Sequence, residues 1–299
     1  SCAGLPMTFD ITLNPTAQIN QPVDNVFCAG SNTNIISFST NNTIGTTTYS
    51  WTNDTASIGL ATNGVGDIPS FVPVNNTNSP IIATITVTPT FSYGGKSCIG
   101  SAKNFTITIN PKAQVNSKPN LEFCDGDSVA SVIFSTLNTG GVTSYSWTNN
   151  QPSLGIGTNG VGDLPSFTAI NTGTSPIVAT IAVTPSFLNG ISCTGSPINF
   201  TITINPKAQV NAISNVTICN NDIQSAIVFS TANIGGTTSY SWTNDNPSIG
   251  LGVTGNGNIP SFTAVNNGLE PVSATIIVTP TYTNGSSVCT GNPKTFSIT

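Results

Sequence analysis

Histidine and arginine are both absent from this sequence, and only 6 % of its 299 residues carry charge, against about 25 % in an average soluble domain. Each scarcity excludes something. Without histidine, general acid–base catalysis, a serine or cysteine triad and a zinc site all lose their commonest partner. A glycosidase-type carboxylate pair should recur as a close couple, yet glutamate occurs only at Glu122 and Glu270, and neither is repeated. Positive charge comes from six lysines alone, and a net charge of −5 offers no footprint for a nucleic acid. There is neither an apolar run long enough to span a bilayer nor a basic amphipathic helix to lie on one. A signal peptide is not visible either, but the sequence opens in mid-repeat. The expectation is no catalytic residue, no cofactor, no metal, no nucleic-acid partner and no membrane insertion.

What the sequence does have is repetition. Trp51, Trp147 and Trp242 each sit in Tyr-Ser-Trp-Thr-Asn, with steps of 147 − 51 = 96 and 242 − 147 = 95, and a Pro-Ser-Phe follows at Phe71, Phe167 and Phe262. Residues 2–15 match 98–111 and 193–206, so the opening stretch reads as the tail of a repeat whose body is missing. A period this long marks an array of whole domains, since solenoid units are only about 20–50 residues. The expected division is 1–15 as the last strand of a truncated preceding repeat, then repeats at 16–111, 112–206 and 207–299, a window cut from something longer.

Hydrophobic residues make up 37 % of the chain and alternate with threonine. Ala83, Ile85, Val87 and Phe91 do so, as do Ala179, Ile181, Val183 and Phe187, and Ala274, Ile276, Val278 and Tyr282. One apolar face and one threonine face is the pattern of a half-buried antiparallel strand. Glycine, asparagine and proline clusters separate the runs, and no segment has helical period. About seven strands per repeat around a central tryptophan give an all-β array of immunoglobulin-like antiparallel β-sandwiches. Trp51, Trp147 and Trp242 are then core plugs rather than platforms for a sugar ring. Pro89, Pro185 and Pro280 break the long strand at one fixed place, which predicts an edge or a bulge. The joins, such as Pro111-Lys-Ala-Gln-Val115, lack a glycine–serine stretch and predict a semi-rigid rod, each domain advancing it by about 35–45 Å.

Several patterns have duller readings that prevail. Asp125-Gly-Asp127, Asp67 and Asp163 could supply oxygens to calcium, but the third repeat has Asn220 and Asn258 at the places of Asp125 and Asp163, and a calcium site wants several carboxylates together. Turn-forming aspartate is the better account. Thr-Asn-Gly-Val-Gly-Asp at 62–67 and 158–163 lacks the lysine and helix of a phosphate cradle. The threonine rows, including Thr84, Thr86 and Thr88, are ordinary solvent-facing strand positions. Sequons such as those at Asn104 and Asn199 would matter only in a eukaryotic secretory pathway.

Seven cysteines fall into two classes, Cys28, Cys124 and Cys219 on one side and Cys2, Cys98, Cys193 and Cys289 on the other. Their recurrence predicts a disulfide framework in an oxidising, extracellular setting, with connectivity left open.

The combination of Tyr-Ser-Trp-Thr-Asn, Ile-Pro-Ser-Phe-Thr-Ala, Ala-Thr-Ile-x-Val-Thr-Pro and Cys-x-Gly resembles the PKD-like, immunoglobulin-like repeats of giant Bacteroidota cell-surface proteins. Such arrays are similar to the stalks of gliding adhesins exported by type IX secretion. The resemblance covers the whole chain, and the first repeat departs from it only at Val72-Pro73. It implies self-sufficient domains, and so favours pairing within each repeat, Cys28–Cys98, Cys124–Cys193 and Cys219–Cys289, with Cys2 left to a preceding repeat. Each such bridge would contribute about 4 kcal/mol by loop entropy. The alternative staples neighbours, Cys2–Cys28, Cys98–Cys124 and Cys193–Cys219, and placement of the two classes at opposite poles would ease an inter-domain bridge. Asp54-Thr55-Ala56 and Asp127-Ser128-Val129 fit the O-glycosylation pattern of such proteins, making Thr55 and Ser128 candidates. The implied function is a non-catalytic stalk or filament shaft of a secreted cell-surface adhesin. Its partners are neighbouring repeats of the same chain and, through a tip outside this stretch, surface polysaccharide or other cells. A multivalent carbohydrate-binding array, or the spacer domains of a secreted hydrolase, are the alternatives.

Overall fold

A computed structural model describes residues 3–299, and Cys2 lies outside the described residues. Among the described residues, regular structure is strand apart from three single turns of 3₁₀-helix, Ala56–Ile58, Pro152–Leu154 and Pro247–Ile249. Two compact units are formed, one of residues 1–116, 135–144 and 184–196, the other of 117–134, 145–183 and 197–299.

The first unit contains a complete sheet. Its strands are β1 (Asn25–Cys28), β2 (Thr46–Asn53), β3 (Asn63–Val65), β4 (Ile81–Tyr93), β5 (Lys96–Ile99) and β6 (Lys103–Asn110). The order across the sheet is β1-β6-β4-β2-β3, with β5 also on β4. Alternation decides which face is buried. Ala83, Ile85 and Val87 of β4 lie beside Ile107, Phe105 and Lys103 of β6, and the first five of these side chains are all buried. They face an irregular second layer in which Ile36 bridges Ile68 and the Thr33 amide donates to the Phe71 carbonyl. Each large side chain taken out of water there contributes about 1.5–3 kcal/mol. Trp51 is 4 % exposed within this cluster. Gly64 lies opposite it in the ladder because a Cβ there would overlap the indole.

Strand direction follows from the array. The chain enters the sandwich at one pole and leaves at the other, so β1 and β6 run the same way and pair in parallel, Cys28 beside Asn110. This one parallel edge departs from the purely antiparallel expectation. Pro89 departs too, since β4 is a central strand. Beside Pro89 the partner of β4 changes from β6, ending at Val87↔Lys103, to β5, beginning at Thr90↔Ile99. The missing N–H falls in that gap, and the Pro89 carbonyl accepts from the Gly100 amide at 2.9 Å.

The second unit contains the equivalent sheet of Thr237–Asn244, Thr254–Asn256, Ala274–Asn284, Ser287–Thr290 and Lys294–Ile298, packed over Trp242, Ile249 and Ile259. It also holds Leu121–Cys124, parallel to Ile198–Asn205, which in turn pairs antiparallel with residues 177–183. The chain is an all-β tandem array of immunoglobulin-like β-sandwiches.

Candidate functional site in the joints between repeats

Several residues that recur along the chain without filling a core gather at the poles, where one repeat meets the next. The first unit holds one such joint. There Cys28 is joined to Cys193, with Cα atoms 5.5 Å apart. In the second unit Cys124 is joined to Cys289, again at 5.5 Å. Cys98 and Cys219 are free. This corrects the within-repeat pairing of Cys28–Cys98, Cys124–Cys193 and Cys219–Cys289, and the 26-residue alternative with it. The reason is strand polarity. Cys28 ends β1 at the exit pole beside Asn110, whereas Cys98 lies on β5 opposite Phe91, near the far end of β4. About ten residues of strand at roughly 3.3 Å each separate those poles, while a disulfide tolerates a Cα spacing of only about 7 Å. The observed separation of 165 is the within-repeat 70 plus one period of 95, so each exit-pole cysteine reaches the entry pole of the following repeat.

The linker is fastened as well. Ala113 is 4 % exposed and lies against Gly195, where a Cβ would overlap its carbonyl. The Cys-x-Gly motif therefore has two jobs, the cysteine for the bridge and the glycine for the passing linker. Asn138 clamps the same segment. Its Oδ1 accepts from the Gln114 amide at 2.7 Å, and its Nδ2 donates to the Lys112 carbonyl at 3.2 Å. Beside it the Thr139 amide donates to the Asn78 carbonyl at 2.8 Å, and Pro80 packs on Gly140. Asn110, wholly buried, donates from Nδ2 to the Asn189 carbonyl at 2.7 Å and accepts from Asn189 Nδ2 at 2.9 Å. A buried amide satisfied on both sides fixes orientation as well as position.

The joint in the second unit repeats the linker clamp, but its asparagine pair is one-sided: Asn284 Nδ2 donates to Asn205 Oδ1 at 2.8 Å, while the buried Asn205 Nδ2 has no hydrogen-bond partner. Asn233 accepts from the Gln209 amide at 2.6 Å and donates to the Lys207 carbonyl at 3.2 Å. The Ile234 amide donates to the Thr174 carbonyl at 2.9 Å, and Pro176 packs on Gly235. Here Glu122 Oε2 accepts from the amide and hydroxyl of Ser286, at 3.3 and 3.2 Å. Lys207 meets Asp125 at 3.6 Å. Tyr282 donates to the Ile234 carbonyl at 3.0 Å, and burial pushes its phenol pKa up.

No family model matches the chain, and no curated protein matches it. Among solved structures it is similar to three domains of mouse cadherin-23, at 11 % identity over 95 % of this chain and 98 % of that one, with a TM-score of 0.41. It is also similar to three N-terminal domains of the bacteriophage RB49 outer capsid protein Hoc, at 14 % identity over 95 % and 97 %, TM-score 0.39. Sidekick-1 immunoglobulin domains 1–5 give 12 % identity over 95 % and 61 %, TM-score 0.30.

The remaining residues singled out in the sequence are placed as follows. Trp51, Trp147 and Trp242 are each 4 % exposed. Asp67, Asp163 and Asn258 accept from the amides of Phe38, Phe134 and Phe229 at 2.9, 2.7 and 2.9 Å, one role filled by either residue type. Asp127 accepts from the Cys124 amide, and Asp125 from that of Asn171. Thr55 donates its hydroxyl to Asp54 at 2.8 Å, while Ser128 is exposed on a short strand. Asp54 also accepts from the Thr84 amide, and these hydrogen bonds hold its pKa below the ordinary carboxylate value. The clamp asparagines Asn42, Asn138 and Asn233 were missed. Their signal was present, since Thr40-x-Asn42, Thr136-x-Asn138 and Thr231-x-Asn233 recur at one place in every repeat.

Proposed function

We propose that this chain is a non-catalytic spacer, the stalk or filament shaft of a large secreted cell-surface adhesin, holding a binding tip away from the cell. The observation that supports it most directly is the joint. Two covalent connections, the chain and a disulfide, cross it, and a buried asparagine pair with a clamped linker leaves little play between successive repeats. On this reading the domains are 16–111, 112–206 and 207–299, with 1–15 completing a preceding repeat. Disulfides at each joint suit an extracellular, oxidising setting. The resemblance to PKD-like repeats of Bacteroidota surface proteins points the same way, towards gliding-type adhesins and type IX export. Ser128 is the better glycosylation candidate of the two, because the Thr55 hydroxyl is engaged by Asp54. An intact mass equal to the bare polypeptide would exclude both.

Small-angle scattering of the oxidised chain tests the stalk. An extended particle of narrow size distribution is expected, and a compact or broadly flexible ensemble would overturn the reading. One feature supports a multivalent binding array instead. The loops after the tryptophan strands, residues 54–57, 150–153 and 245–248, differ in sequence although Asn53, Asn149 and Asn244 anchor them alike. Specific binding of the isolated chain on a glycan array would favour that second function.

A further inference from the structure

The exit pole of the third repeat carries side chains equivalent to those that build the two formed joints. It is a cavity of about 440 Å³ lined by Thr217, Cys219, Leu269, Pro271, Val272 and Ile298, among others. Four of these stand where the two formed joints make contact. Cys219 matches Cys28 and Cys124; Pro271 matches Pro80 and Pro176, which pack on glycine; Leu269 matches Asn78 and Thr174, whose carbonyls accept a backbone N–H; and Thr217 matches Val26 and Glu122. Leu269 is fully exposed and the Cys219 thiol is free.

We propose that this pole is a docking site for one further sandwich of the second- or third-repeat type, whose entry-pole cysteine forms a disulfide with Cys219. The inference rests on the two joints and not on the stalk reading. A second copy docking through its own Cys98 is disfavoured on chemical grounds. At that entry pole Ile44 replaces Gly140 and Gly235, so the proline has no glycine to pack on, and Tyr93 replaces Asn189 and Asn284, so the side-chain amide that donates to the last-strand asparagine in both joints is missing. Bond formation needs an oxidant, which a small disulfide such as oxidised glutathione supplies. One thiolate attacks it and expels a thiolate; the second cysteine then attacks the mixed disulfide and expels the other, so two protein thiols become one disulfide and two small thiols are released.

The test is the full chain extended at Thr299 by a second copy of residues 204–299 that carries Cys219→Ser and, as a mass marker beside its entry-pole cysteine, Val288→Ile, oxidised with glutathione and mapped without reduction. The peptide of Cys219 is expected joined to that of the appended Cys289, with Cys28–Cys193 and Cys124–Cys289 recovered as controls for native joints. Recovery of Cys219 as a free thiol, or joined to Cys98 of another molecule, would overturn the proposal. A second extended chain adds Cys289→Ser to the same appended copy. Docking should then slow alkylation of Cys219 by about tenfold or more relative to the unextended chain, since thiol reactivity follows access. Equal rates would also overturn it.

Discussion

Asp54 shows how much one exposed side chain can be made to do. Its carboxylate accepts from the Thr84 amide and the Thr55 hydroxyl, both at 2.8 Å, and its pKa is lowered chiefly by the Thr84 backbone bond. A lowered folded-state value stabilises the fold above the ordinary carboxylate pKa of about 3.9, and that contribution is lost as pH falls through the folded value. Asn150 makes the same bond to the Thr180 amide at 2.7 Å without a charge. Asp54→Asn should therefore fold normally, and the melting-temperature advantage of the original chain over it should shrink as pH is taken from 5 to 2. A difference that stays flat across that range would show that ionisation of Asp54 contributes nothing. At this scale the tryptophan was readable from its place in an alternating strand, because burial on a pleated face depends only on local period. The clamp asparagines were harder. Asparagine between glycines and threonines looks like any turn residue, and its partners Lys112 and Gln114 are 26 and 24 positions away.

At the scale of the element, the linker is the segment whose behaviour changes most between sequence and structure. Pro111-Lys-Ala-Gln-Val115 has no strand of its own, yet Ala113 and Val115 are buried and Asn138 holds the backbone on both sides of Ala113. Asn138→Ala should strip the Gln114 amide of its acceptor and cost about 1–3 kcal/mol locally. Amide exchange at Gln114 should accelerate accordingly, while the sheet amides of β4 keep their protection. Unchanged exchange at Gln114 would mean that water serves as well as the clamp. The prolines belong at this scale too. A proline inside an alternating run signals a lost ladder bond, but sequence alone leaves open whether the loss is absorbed at an edge or at a gap between two partners. Here Gly100, whose amide reaches the Pro89 carbonyl, marks the gap.

For the molecule as a whole, the disulfides connect repeats rather than brace them. Each closes a sequence separation of 165. The loop-entropy estimate for one such bridge is about 5 kcal/mol. Replacing Cys28 and Cys193 together by serine should leave the far-ultraviolet spectrum of the sandwiches intact, yet open the 111–115 linker to limited proteolysis and lower the melting temperature. A double variant as protease-resistant as the parent would show that the clamp alone holds the joint.

Sequence by itself determined the class of fold, the period and the buried face of every long strand, because a two-residue alternation and a repeat length are properties of the chain taken locally. It could not determine which cysteine meets which. In a periodic sequence a partner in the same repeat and its counterpart one period later are chemically identical, so spacing cannot separate 70 from 165. Tertiary structure decided the matter through direction. The first and last strands of each sandwich run the same way, which sends Cys28 to the pole where the chain leaves and its counterparts in the other class to the pole where the chain enters, and only a neighbour brings those two ends together.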